Sequence, residues 1–564
     1  MVAAMPARTL GAQGTARSNT SASNAQGTAA RLVYPTSDAA DRLRLRQLAG
    51  DTAGLTTYLL RSPSTIGLLP DDSARARGTK HWVRPQIYGI ANSAIPFSMN
   101  DGSLWAARGV SARIASGFAG ARGGWRIDII PELVFTSNAQ FDFNRDWMKF
   151  HRPSTSVERY GGGFANPWYY MPFSADVPWR FGGRPIAHIT PGQTGVWYRH
   201  GAIEAGATTE NEWWGPGIRN AIVLSDNAPG IPRVELRSAR PLHTRAGVFE
   251  WRWFSGALTE SPYFDTDSTN DVRSIAAAAV VWRPAFQPTL TLGVSRSVYG
   301  MVSGYGSTPF RFFDVLRKTS GSGAGGGSAT APTGGSLIDS TLTPGGRAQL
   351  FSLFGRWVFP ADGFEVYSEW ARQNLPRSLR DFLVAPSYSD GYTLGLQWRR
   401  PAPADATTIR VQAEMTDLEQ SPGFSDRELD VFYTSRHVLQ GYTQRGQVIG
   451  AAIGPGASSQ WLAVDRVSPR GSFGVTINRI RWNEDVRATY AWPAFVSYCN
   501  HDVSILPGVR GGRALAGGYI SGELIVGTRL NAFFQNQSGC PTGGPSKIDE
   551  HNTTLSVSFT PFAL

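Results

Sequence analysis

Trp125-Arg126-Ile127-Asp128-Ile129 sets a bulky apolar side chain against a charged one at every step. A period of two marks a β-strand, because successive side chains leave opposite faces of a sheet. The pattern recurs outward from this stretch. Phe249, Trp251 and Trp253 alternate with Glu250 and Arg252, and Leu290, Leu292 and Val294 with Thr289, Thr291 and Ser295. Further on, Phe364, Val366 and Trp370 alternate with Glu365, Tyr367 and Glu369, and Tyr392, Leu394, Leu396 and Trp398 with Thr393 and Gln397. A sandwich also alternates, but charges on its inner face would sit unpaired in a dry core, which is costly. A charged inner face fits a wet lumen and an apolar outer face fits lipid, so the pattern favours a transmembrane β-barrel.

Composition agrees. No run of about 18 apolar residues occurs, so no segment reads as a transmembrane helix. Mean hydropathy is −0.22 with 41% hydrophobic residues, too polar for a helical membrane protein. A barrel hides its apolar residues in alternation and keeps the mean low. The 18 Trp and 18 Tyr suit headgroup belts, where one end of the ring is wet. Net charge is +11, and four of the 54 basic residues are Lys (Lys80, Lys149, Lys318, Lys547), the rest Arg. Arg recognises carboxylate and phosphate in a planar, bidentate way. Acidic polysaccharide and lipopolysaccharide phosphate are therefore the expected partners, with compositional bias toward Ala, Gly and Arg as the plainer reading. The Arg residues are scattered without a helix-turn-helix or RNP pattern, so no nucleic acid is expected.

Connector lengths sharpen the fold. Tight turns are read at 119–124, 200–202, 285–288, 360–363, 400–406 and 516–520. Long connections are read at 138–192, 212–231, 259–273, 300–346, 373–389, 418–466 and 536–551. Short and long alternate, as in an up-and-down antiparallel barrel with periplasmic turns and outer loops. The tally is about 18 strands, an even number that puts both termini on the periplasmic side. Residues 1–30 read as a leader remnant or disordered, 31–78 as a partly helical periplasmic segment, and 79–564 as the barrel. Within 36–50, Ser37 or Asp38 can cap a helix, Leu45, Leu48 and Ala49 share a face, and Gly50 can end it. Thr319–Ser336 has the composition of a flexible loop tip. The last strand, Thr553–Leu564, alternates and is rich in hydroxyls.

The densest motif is Thr209-Glu210-Asn211-Glu212-Trp213-Trp214-Gly215-Pro216-Gly217, continuing through Leu224-Ser225-Asp226-Asn227-Ala228-Pro229-Gly230-Ile231-Pro232. Gly-Pro-Gly makes a rigid turn, and Asp226 and Asn227 can close an Asx-turn. This motif resembles the signature of the capsule-assembly Wzi family. Gly247–Asp265, Phe364–Trp370, and Gly441–Gln447 with Gly454–Gly456 are similar to the same family, in order, as is the early Asp41–Gly50 piece. The resemblance implies a monomeric outer-membrane barrel that acts as a lectin for capsular polysaccharide, with a helical N-terminal part near the periplasmic mouth. No cofactor and no catalysis are implied.

Trp213 and Trp214 carry two readings. Their indoles can stack on sugar rings, with Glu210, Asn211, Glu212 or Asn227 bonding hydroxyls, or they can pack the loop into the barrel and help plug it. Glu204, Glu210, Glu212 and Asp226 could also be imagined as a glycosidase pair, but alternating faces cluster carboxylates by chance. His200, His243 and His437 lack ligand spacing, and no metal site is expected. Counting back from a descending last strand puts Cys540 in an outer loop and Cys499 at an outer strand end, near enough for a disulfide. A diffusion channel is the alternative function and would need an open lumen.

Overall fold

The computed structural model describes residues 32–50, 58–67, 78–143, 174–264, 268–317, 347–376, 378–403, 406–420, 431–435, 437–485, 498–535 and 549–561. Its wall is a closed antiparallel barrel of 18 strands. The first wall strand, Thr79–Asn92, pairs with the second, Gly109–Arg122, and also with the last, Glu550–Pro561. Closure runs from Ile87 opposite Phe559 to Asn92 opposite Thr554.

Three wall strands are each broken into two pieces: Trp125–Ile129 with Glu132–Thr136, Ile186–Thr190 with Gly195–His200, and Arg233–Ser238 with Leu242–Thr244. Pro131, Pro191 and Pro241 lie in the three gaps. Proline has no N–H to give to a ladder, so the pairing lapses there. The first two breaks face each other and are bridged by Gln193 N–H donating to Ile130 O at 2.9 Å.

Connections of one end are short: 123–124, 201–202, 245–246, 285–289, 360–363, 400–407, 469–470 and 516–517. Those of the other end are long: 93–108, 137–185, 209–232, 260–271, 302–346, 373–389, 418–457, 482–502 and 531–549. The alternation expected from the sequence is present, with two short turns and two long loops more than were read. The connection read as 418–466 ends earlier, because Ser458–Ser468 is a wall strand. Its opening Ser-Ser-Gln carries no apolar alternation to announce it. Likewise 138–192 hides the piece Ile186–Thr190.

The faces divide as the alternation requires. Trp125, Ile127 and Ile129 are 56%, 49% and 55% exposed, while Arg126 and Asp128 are 1% exposed. Phe118, Ile189, Phe473, Val475 and Ile477 continue the exposed apolar band. Such a band around a closed wall is stable only against lipid. On one flank the band is doubled. After Met301 the chain folds back outside the wall as two 3-10 turns, Tyr305–Phe310 and Phe312–Leu316. Thr308 O accepts from the outward Ser255 hydroxyl and Phe312 O from Trp253 Nε1. Phe310, Phe313 and Leu316 then present 83%, 66% and 70% of their surface outward.

The interior differs from the wet lumen expected. Three pieces of the chain fill it. The helix Asp38–Leu48, capped by Ser37, lies in the short-turn mouth, where Arg42 donates to Ser468 O at 2.9 Å and to the Tyr519 hydroxyl at 2.7 Å. Beyond it, Leu60–Arg61 pairs antiparallel with Trp213–Trp214 of loop 209–232, deep in the lumen. From the long-loop end, residues 431–435 and 437–457 pack onto the same loop. The result is a dry cluster that includes Leu60, Trp214, Val223, Phe254, Ile275, Tyr299, Leu350, Tyr433 and Tyr442. Most of the inward charges survive in this setting because they are paired or hydrogen-bonded, which offsets the cost of removing them from water.

Candidate functional site

Loop 209–232 leaves the wall after Thr208, turns into the lumen and rejoins the wall at Arg233. Its Gly-Pro-Gly turn needs both glycines. Gly215 has φ +110°, and a Cβ on Gly217 would lie 1.8 Å from Asn220 O.

A buried ionic cluster holds the start of the loop. Glu210 accepts from Ser64 N–H at 3.1 Å, the Ser64 hydroxyl at 2.9 Å and Arg237 Nη1 at 3.1 Å. Glu212 accepts from Arg233 Nη2 at 2.8 Å, Trp214 Nε1 at 2.9 Å and Arg252. Glu235 accepts from Arg233 Nε at 3.0 Å and Trp197 Nε1 at 2.7 Å, and Glu204 takes Arg237 at 2.7 Å. Carboxylate oxygens of Glu210, Glu212 and Glu235 lie within 4.8 Å of one another. Such a trio could hold a cation, and here guanidinium groups of Arg233, Arg237 and Arg252 neutralise it. Of the four carboxylates considered for acid–base work, Glu204, Glu210 and Glu212 belong to this network, whereas Asp226 lies apart from it.

Neutral bonds hold both ends of the loop. Asn211 and Gln193 form a mutual pair, Gln193 Nε2 donating to Asn211 Oδ1 at 2.8 Å and Asn211 N–H to Gln193 Oε1 at 2.9 Å. Asn227 Nδ2 donates to Val448 O at 2.9 Å. Asp226 accepts from the Thr36 hydroxyl at 3.2 Å, and its second oxygen has no partner. Burial pushes its carboxyl up to about 7.

Two wall carboxylates hold the middle. Glu414 accepts the N–H groups of Ile218, Arg219 at 3.0 Å and Asn220 at 2.8 Å, with the Tyr367 hydroxyl at 2.9 Å. Glu369 accepts Ile222 N–H at 3.1 Å. Loop 431–457 adds two tyrosines stacked at 5.9 Å, whose hydroxyls donate to the same stretch: Tyr433 to Ile222 O at 2.7 Å and Tyr442 to Val223 O at 2.9 Å.

The sequence thus brings Glu210, Asn211, Glu212, Trp213, Trp214 and Asn227 into one place, but an interior one. Trp213 and Trp214 have no exposed surface, and the other four are at most 9% exposed. Arg61 lies over the Trp213 ring at 5.1 Å, and Phe254 meets Trp214 at 5.6 Å. All six are thus enclosed, and of the two readings of this motif their burial fits packing of the loop into the barrel. Their anchors, Arg233, Arg237, Arg252, Glu235 and Glu414, were not singled out from the sequence, although inward parity on their strands was the signal for them.

On the long-loop side, aromatic rings gather in two groups. Trp105 and Phe181 lie 4.5 Å apart, with Tyr263 5.7 Å from Phe181. Trp179 and Phe141 flank Phe533 at 5.1 Å and 5.2 Å. Trp105, Trp179 and Tyr263 are half-buried, so each keeps some accessible surface. Cys499 is disulfide-bonded, and the chain's other cysteine, Cys540, lies outside the described residues.

Comparison with known proteins fits this geometry. The family model for capsule assembly protein Wzi matches residues 192–485, more than half of the chain and all of the inward loop. Against curated protein sequences nothing matches. Among solved structures, the barrel is similar to Wzi of Escherichia coli, described as an outer-membrane protein involved in group 1 capsule assembly and a carbohydrate-binding β-barrel. The TM-score is 0.51 at 12% identity, covering 85% of each chain. Pseudomonas aeruginosa OccK2 matches at a TM-score of 0.37 and 10% identity, over 85% of this chain and 97% of that one. OprD of the same organism gives 0.36 and 9%, over 85% and 93%.

Proposed function

The chain belongs to the Wzi capsule assembly family, and on that footing we propose that it is a lectin, binding capsular or other surface polysaccharide and helping to attach or assemble it at the cell surface. It is an outer-membrane barrel, its apolar band set in lipid. In this reading the short-turn mouth, with the helix Asp38–Leu48, faces the periplasm, and the end of the wall that carries the long connections faces outward. The protein acts as a monomer in contact with lipopolysaccharide.

The observation that carries the reading is the plug. Loop 209–232 and residues 431–435 and 437–457 fill the lumen with an apolar cluster, and the carboxylates at the start of the loop are paired with arginines. A polymer meeting this barrel finds a closed floor with a ring of loops around it, which suits holding rather than passage. We assign the contacts to the accessible parts of Trp105, Trp179 and Tyr263, whose rings can stack on sugars. Glu210, Asn211, Glu212, Trp213, Trp214 and Asn227 act beneath them by fixing the floor. A diffusion channel would need the space that these residues occupy.

The test is retention of the host's own surface polysaccharide by the purified protein, beside conductance in a planar bilayer. Retention that falls in Trp179→Ala, with no steady ion current, is expected. Clear ion conductance without retention would overturn the assignment.

A further inference from the structure

A second polar space lies inside the barrel, away from the aromatic rings of the long-loop side. It is a cavity of about 520 Å³ between the N-terminal segment and the seam where the last strand meets the first. That volume falls within the usual range for small-molecule sites, roughly 300–1,000 Å³. Its lining holds seven arginines against five carboxylates.

Most of these charges are matched. Asp38 takes Arg42, Glu365 takes Arg44, and Asp465 takes Arg410 and Arg510. Asp41 also takes Arg410. Asp101 accepts from Tyr88 and Ser98, and Glu523 from Thr476. Arg113 donates to Asp101 O at 2.7 Å, with Glu132 and Asp101 as the carboxylates acting on it; Arg61 and Arg219 are the exceptions, for no carboxylate forms an ion pair with either among the described residues. Arg61 is 4% exposed, donates to Gly217 O at 3.1 Å and lies over the Tyr58 ring at 4.8 Å, and its Nε has no partner. Arg44 and Arg356 repel it, and Asp226 attracts it without forming an ion pair. Arg219 lies over Trp461 at 5.4 Å, and its Nε is also buried without a partner. A buried cation with no counter-charge is expensive to keep, unless something anionic pairs with it in use.

The same cavity is lined by the last strand. Ser556, Ser558 and Thr560 stand at alternate positions and point inward, with Ser521 beside them. This is the hydroxyl-rich closing strand of the sequence. Hydroxyls along one side and unpaired guanidinium groups in the same lining match an acidic sugar.

We propose that this cavity is a binding site for one anionic sugar unit, whose carboxylate or phosphate pairs with Arg61 and Arg219 within a lining that also carries the hydroxyls of Ser556, Ser558 and Thr560. The site goes beyond the lectin reading, since it lies within the barrel and takes a monosaccharide rather than a polymer.

Titration calorimetry on the full chain in detergent tests it, with galacturonate, galactose 1-phosphate and galactose as probes. At least one of the two anions is expected to bind at least tenfold more tightly than galactose. The advantage is expected to disappear in Arg219→Gln and in Arg61→Gln. Arg219 is half-buried, so its variant keeps the test alive if the Arg61 variant fails to fold. Equal binding of galactose and both anions, no binding of either anion, or anion binding unchanged in Arg219→Gln would overturn the proposal. Polymer retention is expected to be unchanged in Arg219→Gln, so the two readings can fail separately.

Discussion

Replacing Glu414 with alanine is expected to loosen the inward loop without opening the wall. Its carboxylate accepts three consecutive backbone N–H groups, of Ile218, Arg219 and Asn220. Truncation strands all three. A buried donor left without a partner costs about 1–3 kcal/mol. Ile218 and Arg219 are half-buried, so water relieves part of their loss, and the lower figure applies to them. The total is about 3–5 kcal/mol, which raises the detached population of the loop roughly a hundred- to a few thousandfold. The wall keeps its register, because Thr408–Asp417 pairs with both neighbours through backbone groups. Hydrogen exchange reads the difference. Amides of 210–231 are expected to exchange faster by about that factor, while those of the wall strands stay protected. Glu414→Gln keeps one oxygen acceptor and should fall between. If loop amides in the alanine variant exchange at the native rate, the carboxylate does not hold the loop and the reasoning fails.

The remaining expectations concern pH, lipid and redox state. Asp226 is held protonated to about 7, whereas an unfolded aspartate titrates near about 3.9. Between those values the folded chain binds a proton that the unfolded chain has lost, so this stabilisation is full below about pH 4 and fades toward pH 7. Melting temperatures from pH 5 to 8 should fall in the native chain and fall less in Asp226→Asn; equal slopes would refute the link. A spin label at position 313 should be relaxed more by oxygen than by a water-soluble nickel chelate, since Phe313 is 66% exposed on the outer flank of the wall. The reverse preference would remove that segment from the bilayer. Digestion without reductant should release Cys499 and Cys540 as one linked pair of peptides, and two labelled thiols would break the assignment.

The wall was legible because alternation is a local signal. Trp125 to Ile129 states its two faces within five residues, and the structure keeps both. The helix was legible for the same reason, with Ser37 as cap and Gly50 just beyond its end. What fills the lumen was less legible. Arg237 reaches Glu204 and Glu210, and Glu414 reaches the backbone of Ile218. Partners so far apart in the chain leave no periodic trace. The motif around Trp213 was visible as unusual, yet unusual residues mark a tightly packed loop as readily as a binding face. Only burial separates the two, and burial is a property of the fold.

Closure of the wall has a consequence for how the molecule comes into being. Ile87 and Phe559 become neighbours across nearly the whole length of the chain. Contacts between such distant residues form late, because the entropy of joining the ends must be met first. Residues 32–50 and 58–67 precede the first wall strand and end up enclosed by the wall. Whatever brings the final strand to the first therefore acts on a sheet that is still open, and it decides in the same event which part of the newborn chain is kept inside.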